Sequence, residues 1–423
     1  MRRSVLVGAL ALAAFASRAE AQLSMQMSNG WSFTFAGNVN AFYIWNQTKA
    51  QTGPGSYETV DKQSGIGTGL LPAFATFEAK GKEGNTDLSA FFGFAPQVSS
   101  GNGLASFFGD QAAGAQIDMR QVYLTVGGKW GSLLAGKQIG LYQRSNIVED
   151  MTIYGVGPGG GNRGTSLGRI GYGYEYTDFR PQMTYTTPSG KKTSFSVGIF
   201  SPLAYAGYDV LTLPRLEADF NWKGGGKTTL YFDVSGFVQQ AKDAVSDALS
   251  PTGSVQSVTP VGGAATVKVG FNVLTIVGSG YYTSGGCSLF MANSFFGTGI
   301  AQCDGVGRPD PATGVSDLRT SYGWYAQAVL APKNSKWMFG GSYGANYLNQ
   351  TDVDKAAPGS GADFASRSAI IGQITYKATK SLRAVVEYDY FQSNVQDAAS
   401  VVPGFDNKID DTNQFAAGLM LFF

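Results

Sequence analysis

Period-two alternation of apolar and polar residues recurs along this chain, and few folds accept so much of it. The last eleven residues, NQFAAGLMLFF, put Phe415, Ala417, Leu419, Leu421 and Phe423 on one parity and Gln414, Ala416, Gly418, Met420 and Phe422 on the other. A β-strand sends such sets to opposite faces. In RLEADFNWK, Leu216, Ala218, Phe220 and Trp222 oppose Glu217, Asp219, Asn221 and Lys223. In KWMFGGSYGANY, Trp337, Phe339, Tyr343 and Tyr347 oppose Lys336, Ser342 and Asn346. LRAVVEYDY sets Leu382, Ala384, Val386, Tyr388 and Tyr390 against Arg383, Glu387 and Asp389. GRIGYGYEYT sets Ile170, Tyr172, Tyr174 and Tyr176 against Arg169, Gly171, Gly173 and Glu175. A soluble sandwich alternates in the same way. The pattern alone therefore gives an all-β chain and leaves open what covers its apolar face.

The spacing of the breaks decides between the two. Short breaks fall at 81–85, 127–131, 189–192, 223–227, 272–273, 332–335 and 379–381. Long ones fall at roughly 46–66, 98–115, 141–167, 201–213, 241–262, 283–317, 349–366 and 394–411. Seven short and eight long connections imply sixteen antiparallel strands. An even strand number with tight turns on one side and long loops on the other is the layout of a transmembrane β-barrel. A Greek-key sandwich mixes loop lengths at both ends. Both termini then lie on the periplasmic, tight-turn side, and the long loops are extracellular. Closure leaves no backbone edge facing hydrocarbon. The apolar face meets lipid or a neighbouring subunit, and the polar face lines a lumen wide enough for water.

The N-terminus fits this compartment. Arg2 and Arg3, the apolar run from Val5 to Ala16 and the Ala19-Glu20-Ala21 triplet read as a secretory signal peptide, residues 1–21, with a barrel domain over 22–423. Twelve apolar residues are too few for a membrane anchor, which takes about 20. Cleavage after Ala21 removes Arg2, Arg3, Arg18 and Glu20, leaving 28 basic and 29 acidic residues and a formal charge of −1. Such a balance gives no case for nucleic-acid binding. Charged residues are only 14% and aromatics 13%, with 58 glycines, yet no later stretch is long and apolar enough for a transmembrane helix. The chain has no histidine. That excludes Ser-His-Asp hydrolysis and histidine metal ligation, and no enzyme activity or cofactor is expected.

The stretch RQVYLTVGGKWGSLLAGKQ, residues 120–138, resembles a signature of the Gram-negative general porins. It has Arg120 and Tyr123, a turn from Gly127 to Gly131, and Gly136-Lys137-Gln138 on the returning strand. WSFTFAGNVNAFY (31–43) is similar to the family's first strand, AKGKEGNTDLSAFFGFA (79–95) to its second and third, and the terminal phenylalanine matches too. The resemblance implies a homotrimer in the outer membrane, in contact with lipid and lipopolysaccharide, whose third loop folds into the pore. Loop 3 here is residues 141–167 and carries Glu149 and Asp150. In the family such acids face a basic ladder across the constriction. By motif position Arg120 and Arg169 match ladder members, and Lys137 is a third basic wall residue. Thr76 stands where a further arginine is common and Asn38 where a lysine can occur, so the ladder is thin. The resemblance also makes Phe423 part of the signal read by the barrel-assembly machinery.

Three further motifs carry less. GVGPGGGNRG (155–164) lacks Gly-Lys-Ser/Thr and a following helix, so it is no P-loop and reads as the flexible part of loop 3. Cys287 and Cys303 flank a long loop in an oxidising compartment and are expected to form a disulfide; the alternative is two unpaired thiols. The acidic run FDNKIDD (405–411) reads as a hydrated loop, with Ca²⁺ binding as the alternative. Taken together, the expected function is passive diffusion of ions and small hydrophilic solutes. The rivals are a substrate-selective porin for sugar, phosphate or peptide, and a barrel used as an adhesin or an outer-membrane enzyme.

Overall fold

In the computed structural model the described residues are 23–96, 117–159, 166–188, 192–205, 211–242, 256–286 and 305–423, with single positions 98, 190 and 208. One antiparallel sheet closes on itself. Its first eight barrel strands are β1 (Ser32–Gly53), β2 (Phe74–Glu83), β3 (Thr86–Pro96), β4 (Ile117–Gly128), β5 (Gly131–Ile139), β6 (Phe179–Thr186), β7 (Thr193–Phe200) and β8 (Arg215–Gly225). The second eight are β9 (Thr228–Val238), β10 (Val261–Phe271), β11 (Leu274–Ser284), β12 (Thr320–Leu330), β13 (Trp337–Asn349), β14 (Phe364–Lys377), β15 (Leu382–Val395) and β16 (Lys408–Phe422). Each pairs with the next, and β16 returns to β1 from Asn38↔Phe422 to Ala50↔Asp410. Two more segments, Leu23–Gln26 and Ser56–Gly67, pair with β1 alone. The expected sixteen-stranded all-β barrel is the observed one.

Among the described residues the tight turns fall where the sequence breaks are short. The β2–β3 turn uses Gly84 at φ 58° and the β10–β11 turn uses Asn272 at φ 52°, the left-handed conformation that these two residue types tolerate. The first long break is different. Residues 46–66 are not an open loop: β1 runs on to Gly53, turns, and pairs back through Ser56–Gly67. Apart from Val60 and Ile66 the returning segment is largely polar, so little apolar alternation marks it as strand.

The outer face carries Leu216, Phe220, Trp324, Trp337, Phe339, Ile370, Phe415, Leu419 and Leu421, all exposed. The inner face carries Glu217, Asp219, Thr266, Asn346, Gln373, Glu387, Asp389 and Gln414, all buried. Burial of the polar set and exposure of the apolar set invert a soluble protein, as a lipid-facing wall requires. At the extracellular end Arg308 bridges Asp354 and Asp363, and Arg319 holds Asp354 at 2.7 Å, tying the β11–β12 connection to the β13–β14 loop.

Closure depends on a close approach. Gly37 N–H donates to the Phe423 carbonyl at 2.8 Å, and Phe423 N–H donates back to Gly37 O at 3.0 Å. The Phe423 ring lies 5.2 Å from that of Phe35 on the outer wall. A Cβ on Gly37 would sit 2.3 Å from the Phe74 carbonyl oxygen, backbone that has no room to move. Gly341 on β13 has open space at the same position. Gly37→Val should therefore lower the yield of the compact, heat-modifiable band on electrophoresis severalfold, while Gly341→Val leaves it at the wild-type level. Equal yields would mean that this seam does not limit closure.

Candidate functional site

The segment joining β5 to β6, residues 140–178, does not stay outside the barrel. It crosses the lumen as a short helix, α1 (Arg144–Val148), and a 3-10 turn, Met151–Tyr154, then returns through residues 166–178. Loop 3 is thus longer than the 141–167 read from sequence. GRIGYGYEYT is not a strand. Tyr172 and Tyr174 are buried and Tyr176 partly buried between the returning limb and the barrel wall, which imitates strand alternation.

Wall side chains hold the loop by its backbone. Glu217 Oε2 accepts from Leu141 N–H at 2.7 Å and Tyr142 N–H at 3.0 Å. Glu387 Oε1 accepts from Val156 N–H at 2.9 Å and Gly157 N–H at 2.6 Å. Tyr325 OH donates to Asn146 O, and Gln327 both donates to Glu149 O and accepts from Met151 N–H. A Cβ on Gly155 would lie 2.0 Å from Glu387 Oε2, so only glycine lets the chain lie this close to β15. The start of GVGPGGGNRG is therefore clamped rather than flexible; residues 160–165 lie outside the described set. Inward carboxylates that accept two N–H groups each are strong anchors in a low-dielectric interior.

The candidate constriction residues separate. Glu149 is half-buried and pairs with Lys268 of β10 at 2.7 Å. Asp150 is buried, caps the 3-10 turn through Thr152 N–H, and accepts from Tyr174 OH at 2.8 Å. Arg169 is 0% exposed and donates to Ser342 Oγ and the carbonyls of Tyr172 and Ala369. It lies in the loop, not on the wall, and no opposed Asp150–Arg169 field spans an open gap. Arg120 does face inward, because a bulge between Gly93 and Ala95 opposite it resets the parity of β4. It pairs with Asp118 at 2.6 Å and lies over the Phe179 ring. Lys137 pairs in register with Val122 and Pro181, on the face of Leu133 and Met183, and so belongs to the outer wall; Gln138 is the buried residue beside it.

Asn38 and Asn40 donate to the carbonyls of Pro72 and Leu71, and Thr76 donates to Ala36 O, so these inward positions serve wall structure. Sequence reasoning missed Arg144, Lys268 and Arg383. Arg144 meets Asp219 at 3.2 Å, and Arg383 stacks over Tyr154 and Phe422. Inward parity marks Lys268 and Arg383, once the partner strands are known. The acidic run at 405–411 does not converge: Lys408 takes Asp411, and Asp410 accepts from Ser393 N–H. Among the described residues no group of three or more His, Cys, Asp or Glu has metal-binding geometry. Cys287 and Cys303 lie outside the described residues, as does the segment 1–22.

Glu175, on the returning limb, is enclosed by Tyr142 OH, Gln143 Nε2, Ser321 Oγ and Thr283 Oγ1. Burial pushes its carboxyl up to about 7, against the opposing effect of those hydroxyl donors and of Arg215. An acid raised in the folded state binds a proton that the undocked state has released. The contribution of Glu175 to stability is therefore full below about pH 4.5 and is lost as pH rises through about 7, about 3 kcal/mol for a shift of this size. The temperature of heat modification should drop between pH 4.5 and 7.5 in the wild type, and Glu175→Gln should flatten that drop. A variant with the wild-type slope would place the titration elsewhere.

No protein-family model matches the chain, and no curated protein matches it by sequence. Solved structures do match over nearly the whole length. The outer membrane channel DcaP of Acinetobacter baumannii superposes with TM-score 0.62 at 12% identity, covering 94% of this chain and 99% of its own. The anion-selective porin from Comamonas acidovorans gives 0.56 at 13%, covering 93% and 100%. OmpF of Salmonella typhi, solved with daunomycin, gives 0.50 at 14%, covering 95% and 100%. Identities this low establish architecture rather than chemistry. The chain has the fold of the outer-membrane porins.

Proposed function

We propose that this protein is a non-enzymatic channel of the Gram-negative outer membrane that passes ions and small hydrophilic solutes by diffusion. The observation that carries this reading is the inverted wall: an apolar outer belt around a polar interior, closed by sixteen strands and narrowed by one inward loop. Water in such a lumen carries hydrated solutes, and fixed charge at the narrowing weights which ions enter. Acids in loop 3 or on the wall around it include Glu149, Asp150, Glu175, Glu217, Asp219, Asp233, Glu387 and Asp389; bases there include Arg120, Arg144, Arg169, Arg180, Arg215, Lys268 and Arg383. This near balance differs from a strongly one-signed constriction and favours weak charge selection over a dedicated anion track.

The same reading takes residues 1–21 as a cleaved signal, the functional unit as a homotrimer in lipid and lipopolysaccharide, and Cys287–Cys303 as a loop disulfide. Phe423 serves as the terminal signal for the barrel-assembly machinery. Its main chain closes the ladder and its ring faces outward, whereas Phe422 packs inward on Tyr154 at 6.3 Å. Deleting Phe423 should leave the chain in the periplasm, while Phe422→Ser assembles nearly normally; equal assembly of the two would remove Phe423 from that role.

Planar-bilayer recording tests the channel itself. Purified protein should insert with conductance steps grouped in threes. In a KCl gradient Glu149→Gln should shift the reversal potential toward anions, since Glu149 is only partly buried and pairs with Lys268 on the inner wall. Asp150→Asn should lower thermal stability and leave selectivity unchanged. Absence of conductance would overturn the reading in favour of an adhesin or a catalytic barrel, and an unchanged reversal potential for Glu149→Gln would place that residue outside the permeation path.

A further inference from the structure

Where loop 3 meets β15 and β16, three carboxylates gather around a single guanidinium. Glu387 and Asp389 stand two residues apart on the inner face of β15 and are 1% and 0% exposed. Asp150 approaches from the loop. Arg169 faces Asp150 and Asp389, but its hydrogen bonds go to Ser342, Tyr172 and Ala369. If Arg169 balances Asp150, Glu387 and Asp389, which touch each other, are left with up to two negative charges in an interior that excludes solvent. Isolated buried charge is too costly to persist without a counter-charge.

The hydrogen-bond inventory says where that counter-charge belongs. Gln414 lies opposite Asp389 in register and is 0% exposed. Its Nε2 donates to Asp389 Oδ2 at 2.7 Å and to Gly157 O at 2.9 Å. Flipping the amide would bring three acceptors together, so this orientation is fixed. Its carbonyl oxygen Oε1 then has no donor, and neither has Asp389 Oδ1. Glu387 Oε2 accepts one hydrogen bond, from Gln373 Nε2 at 2.7 Å, and keeps a lone pair. Two of these buried acceptor oxygens have no donor and the third has one, and two of the three belong to carboxyl groups. That is the ligand set of a hard cation.

We propose that a divalent cation of the calcium class binds between β15 and β16, ligated by Asp389 Oδ1, Gln414 Oε1 and the Glu387 carboxylate. It neutralises the surplus charge. Because Glu387 also holds Val156 and Gly157, and Gln414 holds the Gly157 carbonyl, the ion pins loop 3 to the wall. Calcium suits the recess better than magnesium, since it accepts irregular oxygen geometry. The site does not rest on the channel reading, since loop attachment has the same chemistry in any barrel.

The experiment uses the full chain folded in lipopolysaccharide-free detergent and stripped with EDTA. CaCl₂ is titrated calorimetrically, and the temperature of heat modification is followed in parallel. The wild type should bind one Ca²⁺ per chain that Asp389→Asn fails to bind, and the thermal gain should vanish in that variant. Gln414→Glu supplies a third carboxylate and should bind about tenfold more tightly, because ligand charge sets affinity in such sites. Should Asp389→Asn not fold, the Gln414→Glu comparison decides alone. No response of the wild type to Ca²⁺ would overturn the proposal and leave a proton as the shared charge. An equal response in Asp389→Asn, or unchanged affinity in Gln414→Glu, would overturn it by placing Ca²⁺ elsewhere.

Discussion

Hydrocarbon offers no partner to a peptide N–H or C=O, and the architecture follows from that constraint. A sheet in lipid must have no edge. Closure in this chain is made by β16 on β1, from Asn38 to Ala50, and extended by the reciprocal pair of Gly37 and Phe423. Once the ladder closes, period two fixes everything else: one parity must be apolar and the other is free to be polar. Leu419 and Leu421 go out, Gln414 and Ala416 go in. The terminal phenylalanine is therefore the last rung of the closure as well as an outward apolar ring.

The free parity is where the chain departs from a simple pipe. Loop 3 carries α1, Tyr174 and Glu175 into the lumen and is gripped by carboxylates rooted in strands on opposite sides, Glu217 on β8 and Glu387 on β15. Both grips are to loop backbone, and the one at Glu387 needs Gly155 beside it. Each buried acid costs desolvation that its hydrogen bonds offset. For Glu175 burial outweighs those bonds, and its protonation state is tied to docking of the returning limb. The lumen is thus shaped by polar grips on the loop backbone together with an apolar cluster that includes Ile147, Ile153, Val156 and Ile170 of the loop and Phe42 and Ile44 of the wall.

Much of this was legible in sequence because parity and turn spacing report backbone geometry directly. RLEADFNWK, KWMFGGSYGANY and LRAVVEYDY each split into the faces observed, and every short break became a tight turn. The failures share a cause. Residues 46–66 are largely polar, so their strand carries little apolar signal. GRIGYGYEYT alternates because loop tyrosines are buried against the wall, so alternation reported burial and not a strand. Lys137 and Gln138 differ by one residue and thus by a whole face, and the bulge near Arg120 shifts parity in a way no local pattern shows. Lys268 and Arg383 became site residues only when the loop was seen to reach them. Charge at a constriction depends on which loop residues are swallowed by the wall, and that is tertiary information.

Liposome swelling is the most direct measure of whether this lumen passes solutes. Vesicles containing the purified protein are diluted into isotonic solutions of sugars of increasing size. The account predicts swelling rates that fall steeply with solute size and rise in proportion to concentration, as hindered diffusion through a water-filled narrowing requires. Vesicles that do not swell in any solute, or that swell with saturation for one solute alone, would contradict it.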